Sequence, residues 1–170
     1  MNKKYIRNKL LVFIVACLCL FVIRFYFFSL GKVDGQSMNP TLNDQDYVLL
    51  NKVSYKTGEP KRFDIIMFTL PDNSVLIKRV IGLPGEKIEH KNNNLYINGS
   101  VVKEPFLMEE TDDFDSLTIP VGEIFVMGDN RDHSTDSRVF GAIPISHILG
   151  KSSIKIWPLN GGEITYYIFK

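Results

Sequence analysis

Hydrophobic positions fall into two regimes along this chain, with the change near residue 31. In residues 10–30 only Arg24 and Ser29 are neither apolar nor aromatic. Wound as an α-helix at about 1.5 Å per residue, that run covers about 30 Å, the thickness of a bilayer's hydrocarbon core. Beyond Gly31 the apolar runs are short or alternating and are separated by turn residues, with no amphipathic helical stretch of useful length. The pattern predicts a mainly β protein: a short tail over residues 1–9, one transmembrane helix over 10–30, and an antiparallel β-sheet domain over 31–170.

Within the body, strands are expected at residues 32–38, 47–51, 64–69, 75–81, 95–97, 100–102, 124–127, 154–157 and 164–168. Leu83-Pro84-Gly85-Glu86 has the Pro and Gly placement of a type II turn, and Asn98-Gly99 is a two-residue hairpin signal. Residues 104–116 are acidic and read as loop. The strand over 75–81 splits by period two into Leu76, Lys78 and Val80 on one face and Ile77, Arg79 and Ile81 on the other, so Lys78 has only apolar neighbours on its own face.

Charge sharpens the division. Residues 1–30 carry Lys3, Lys4, Arg7, Lys9 and Arg24 and no acid, which leaves 15 basic against 19 acidic residues in the body. Basic residues ahead of an apolar span hold that end in the cytoplasm, so the body is expected outside it, anchored in a phospholipid membrane. The run exceeds the roughly 7–15 residues of a cleaved signal's apolar region, which favours a retained anchor even though Ser29-Leu30-Gly31 offers small residues for processing. A formal net charge of +1 argues against a nucleic-acid partner. The two cysteines, Cys17 and Cys19, both lie in the apolar run, leaving the body no disulfide.

Candidate chemistry centres on Gly35-Gln36-Ser37-Met38-Asn39-Pro40. Ser beside Gly and Pro ordinarily marks a turn, but Ser37 follows the anchor closely, and the rest of the chain supplies partners for it. A serine nucleophile needs a base to take its proton. His133 is one option, in the polar stretch of residues 128–138 with three aspartates, and would give a Ser/His/Asp arrangement. Lys78 as a neutral amine is the other. Near neutrality it would need a pKa drop of roughly 3 units, worth about 4 kcal/mol, of the kind desolvation against Leu76 and Val80 supplies. The stretch 128–138 has no apolar side chain, and its alternating acids and arginines suggest a hydrogen-bonded scaffold. A metal site of Asp129, Asp132, His133 and Asp136 is disfavoured, because arginines compete for the carboxylates and the spacing fits no zinc or EF-hand pattern. No cofactor is expected.

Three segments carry a resemblance. Ser37-Met38-Asn39-Pro40-Thr41-Leu42, Lys78-Arg79-Val80-Ile81-Gly82-Leu83-Pro84-Gly85-Glu86, and Gly128-Asp129-Asn130-Arg131 through Ser134, Asp136, Ser137 and Arg138 resemble the ordered boxes of the bacterial type I signal peptidases, in size and orientation the Gram-positive members. The resemblance implies a signal-peptidase-like β-sheet catalytic domain behind a single transmembrane helix. It implies a membrane-bound Ser/Lys endopeptidase that removes signal peptides from exported preproteins after small residues. Ser37 would be the nucleophile and Lys78 the base, with Ser134 positioning the lysine amine. Asp129, Asp136 and Arg138 would hold the loop rigid. Some members supply an oxyanion hydroxyl two residues before the nucleophile, where this chain has Gly35. His133 stands where Asn is commoner. By position, Val33, Met38 and Ile77 are the candidates for lining substrate pockets, and an exposed strand edge beside Ser37 would pair with the extended substrate.

Two rivals remain. Self-cleaving repressors share a Ser-Met and Lys logic on a related β fold but have no anchor. A catalytically inactive or accessory membrane-anchored paralogue that binds preproteins would be expected to lack Ser37 or Lys78, and both are present.

Overall fold

The structure, a computed structural model of the chain, describes residues 3–55, 58–156 and 166–168. It opens with a single long helix, α1 (Lys3–Phe27), whose apolar side chains are exposed along its length. The helix is long and apolar enough to cross a membrane. It stops short of residue 30, where the hydropathy run ends. Phe28, Ser29 and Leu30 pair instead with Asn51, Leu50 and Leu49, in a ladder between β1 (Phe28–Lys32) and β2 (Tyr47–Asn51). Apolar composition does not distinguish these states; the available partner strand does, by satisfying backbone groups. Carbonyls at and just past the helix end are met by basic side chains and a neighbouring amide. Lys52 donates from Nζ to the Phe25 carbonyl at 3.0 Å and from its N–H to Phe27 at 2.9 Å, and Arg24 Nη1 donates to the Phe28 carbonyl at 2.8 Å.

The remainder is mainly antiparallel β, as the pattern predicted. One sheet of eight strands runs β1, β2, β11 (Ile148–Ile156), β3 (Ile65–Thr69), β4 (Val75–Gly82), β9 (Glu123–Met127), β10 (Ile143–Pro144), with β12 (Tyr166–Ile168) also on β11. A second sheet of four strands has the order β7 (Ser100–Val102), β6 (Asn94–Ile97), β5 (Lys87–Lys91), β8 (Phe114–Thr118). The hairpin between β6 and β7 turns on Asn98 and Gly99 with φ of 50° and 79°, the positive values a two-residue turn demands.

Three expectations are corrected. Residues 32–38 are not a strand: β1 ends at Lys32, Gly35 takes φ 92°, and residues 36–42 form turns closed by Asn39 N–H to Gln36 O and Leu42 N–H to Met38 O. The acidic loop ends earlier than expected, because Phe114 packs on Phe125 and starts β8. The last long strand begins at Ile148, well before residue 154; Trp157 and residues 164–165 lie outside the described residues. Sequence reading also missed β5, whose alternating burial is hidden among charged residues.

Three buried clusters hold the body together. Val33, Met38, Leu42, Leu50, Met67 and Ile77 pack the turn over residues 36–42 onto the large sheet. Ile66, Phe68, Val80, Ile124, Val126 and Ile143 form a second cluster. Ile81, Phe125 and Met127 of the large sheet meet Ile88, Leu95 and Ile97 of the small one in the third.

Candidate active site

Ser37 sits in the turn that follows β1. Met38 and Leu42 are its anchors: both are fully buried, which fixes the turn while leaving Ser37 partly accessible. Lys78 comes from β4, and the structure brings it to Ser37, with Nζ 2.5 Å from Oγ. Its side chain is almost entirely buried, at 3% exposure. Ile66, fully buried, lies opposite it across the β3–β4 ladder, and Leu76 and Val80 belong to the same apolar cluster. Burial pushes the lysine pKa from its ordinary value of 10.5 down to about 8; Asp136 and Asp129 pull it upward but do not cancel the desolvation. At that pKa a useful fraction of the amine is neutral near physiological pH, and a neutral amine in hydrogen-bond contact with a hydroxyl can take its proton.

The polar stretch after β9 forms one wall. Asn130 N–H donates to the Ser37 carbonyl at 3.1 Å. Gly128 packs so tightly that a Cβ there would collide with the Ser37 carbonyl and the Ser134 side chain, which is why glycine stands at that position. Ser134 therefore lies close to the backbone of Ser37, and its buried hydroxyl, which makes no hydrogen bond of full geometry, lies against the Asp136 carboxylate and helps to lower its pKa. The structure does not join it to the Lys78 amine.

Buried ion pairs fix this wall. Asp129 accepts from Arg79 Nε at 2.8 Å and Nη2 at 2.6 Å, and from Thr41 Oγ1 at 2.5 Å, tying the wall to β4 and to the turn that carries Ser37. Asp136 accepts from Gly128 N–H at 3.0 Å and from Arg138 Nε at 2.9 Å and Nη2 at 3.0 Å, and caps α2 (Ser137–Phe140). Burial alone would raise the Asp136 carboxyl, but the Arg138 guanidinium and the Gly128 N–H outweigh it and hold the pKa below its usual value. Arg138 also donates to the Arg131 carbonyl at 2.6 Å. Arg131 in turn grips Glu104 and Thr111, with Nη2 to Glu104 Oε1 at 2.5 Å and Nη1 to Thr111 Oγ1 at 2.7 Å. Sequence reasoning assigned no partners to Arg79, Thr41 or Glu104, and expected Arg131 to be satisfied by acids of its own stretch. The signal available was a buried-strand arginine beside Lys78; the partners lie too far along the chain for spacing to reveal them.

His133 is exposed, its Nδ1 3.1 Å from Asn130 Oδ1, and no hydrogen bond links it to Ser37. Of the carboxylates considered as metal ligands, Asp129 and Asp136 pair with the Arg79 and Arg138 guanidinium groups and Asp132 is exposed, and among the described residues no group of three or more His, Cys, Asp or Glu could hold a metal ion. Val33, Met38 and Ile77 come together in one cluster, but each is buried, so they back the surface beside Ser37 and none stands open on it. Gly35 offers no hydroxyl, and its N–H is engaged by Asp44 Oδ1 at 2.8 Å.

Comparison with known proteins places this geometry. Residues 6–157 match the family model described as signal peptidase, peptidase S26. Signal peptidase I of Bacillus caldolyticus is 41% identical over 163 residues, 87% of this chain and 89% of that protein. Signal peptidase IB of Staphylococcus aureus strain COL is 36% identical over 177 residues, 93% of each chain. A crystal structure of a signal peptidase I from Enterococcus faecalis V583 superposes with a TM-score of 0.52 at 40% identity, over 55% of this chain and 97% of that one.

Proposed function

The chain belongs to the signal peptidases of peptidase family S26, and from that premise we propose that it is a membrane-bound serine endopeptidase using a Ser37/Lys78 dyad to cut signal peptides from exported preproteins after Ala-x-Ala-type sites. The observation that carries the proposal is the 2.5 Å contact between a buried, pKa-depressed amine and the Ser37 hydroxyl.

In the proposed reaction, neutral Lys78 Nζ takes the proton of Ser37 Oγ as the oxygen attacks the scissile carbonyl carbon. The Ser37 backbone N–H meets the developing oxyanion. Gly35 supplies no second donor from its side chain, nor from its occupied N–H, so this site leans on backbone or water there. Collapse breaks the C–N bond, and the Lys78 ammonium returns the proton to the leaving amine. Water, deprotonated by Lys78, then hydrolyses the acyl-serine and frees the signal peptide. Ser134 steadies the amine with its buried hydroxyl. Asp129, Asp136 and Arg138 keep the wall behind it rigid.

The substrate approaches extended. Among the described residues β1 pairs with β2 alone, which leaves its other edge open to a further strand. Val33 exchanges bonds with Gln45 and Asp46 on the β2 side, which turns the groups of Lys32 and Asp34 toward that open edge. Val33, Met38 and Ile77 back shallow pockets that admit only small side chains before the cut. With the basic tail of α1 in the cytoplasm, the peptidase domain lies outside the cell membrane, where α1 concentrates it beside membrane-held preproteins.

The test is incubation of the detergent-solubilised full chain with a preprotein ending its signal in Ala-x-Ala, with products mapped by mass. A single cut after the second Ala is expected. Binding without cutting would instead establish the inactive-paralogue reading.

A further inference from the structure

Beside the turn that carries Ser37 lies a cavity of about 200 Å3 that the mechanism above does not use, bounded by Asn39, Pro40, Asp129, Asn130, Met108 and Glu109. Its near wall continues the nucleophile turn, and Asn130 is the residue whose N–H holds the Ser37 carbonyl. Its outer wall is the segment over residues 104–111, clipped at both ends to the catalytic wall. Arg131 grips Glu104 at one end and Thr111 at the other, and Phe106 lies 4.0 Å from the Arg79 guanidinium. Between those clips Met108 stands 82% exposed at the rim of the cavity.

The cavity shares Asn39 with the turn that carries Ser37 and Asn130 with the wall that holds the Ser37 carbonyl, so it borders the point at which a substrate laid along the open edge of β1 would meet Ser37. We infer that the cavity receives the first two residues of the mature protein, with Met108 covering their side chains and Glu109 selecting for positive charge or hydrogen-bond donors. The inference rests on the peptidase reading and adds to it a subsite after the cut. Its charge is one-sided. Asp129 is already matched by Arg79 and Thr41, and the side-chain oxygen of Asn39 is buried without a partner. Glu109 and Glu110 are exposed. The charge left open to a ligand at the rim is therefore the Glu109 carboxylate.

The test compares kcat/KM for two preprotein-derived peptides identical up to the cut, with Lys-Lys or Glu-Glu as the first two residues after it. Both are cut by the full chain in detergent and by E109K. Wild type should favour Lys-Lys by about fivefold, the scale of exposed charge pairs, with the preference shrinking in high salt. E109K should reverse the order. Cutting of both peptides with a ratio unmoved by E109K would overturn this subsite while leaving the peptidase reading intact. Failure of wild type to cut either would overturn the peptidase reading and the subsite with it.

Discussion

The depressed pKa of Lys78 has a kinetic signature that can be worked out from its burial. At a pKa of about 8, about one tenth of the amine is neutral at about pH 7, whereas at the ordinary value the fraction would be about 300-fold smaller. Protonation removes the base, so kcat/KM should rise about tenfold per pH unit on the acid side and level off near pH 8. The stability consequence has a definite sign. The unfolded chain holds the lysine proton up to about pH 10.4, while the folded chain releases it near 8. Between those values the unfolded state binds more protons, so folding stability rises with pH. Compared with Lys78→Met, wild type should gain up to about 3 kcal/mol across that window. Single-turnover cleavage of a preprotein in detergent, from about pH 5.5 to 9.5, reads the rate. Denaturant unfolding of the two proteins at each end of the window reads the stability. A rate profile flat across that range, or one that breaks near the ordinary histidine pKa, would refute the assignment of the base to Lys78.

Other expectations concern the wall behind the dyad. Asp129→Ala strands the buried Arg79 guanidinium and should cost about 3–5 kcal/mol, read as a lowered unfolding midpoint. Gly128→Ala forces a methyl against the Ser37 carbonyl and Ser134, so cleavage should fall by two orders of magnitude or more, about the cost of losing one oxyanion donor; unchanged kinetics would mean that this approach is not needed. Ser134→Ala should lower kcat more than it raises KM, and should shift the acid limb of the pH profile if its hydroxyl steadies the Lys78 amine.

Local chemistry was readable where one segment decides it. The long N-terminal apolar helix, the Asn98-Gly99 hairpin and the central strands follow from hydropathy, turn chemistry and period two, because each is set by neighbours within a few residues. The first strand was misplaced because residues 28–30 are equally apolar as helix or strand, and only pairing with β2 decides between them. Long-range partners were likewise out of reach. Asp129 and Arg79 are 50 residues apart, and Arg131 and Glu104 27 apart. The scaffold expected within residues 128–138 is local only at Asp136 and Arg138; its other buried acid and arginine are paired with distant segments. His133 shows the converse: its composition suggested a triad, and its exposure separates it from Ser37.

The most direct test of the dyad is cleavage of one preprotein by wild type, Ser37→Ala, Lys78→Ala and His133→Ala side by side, with circular dichroism to show that each is folded. Loss of cleavage in the first two variants, with most activity kept by His133→Ala, is the expected result. Cleavage that survives Lys78→Ala, or disappears with His133→Ala in a folded protein, would contradict it.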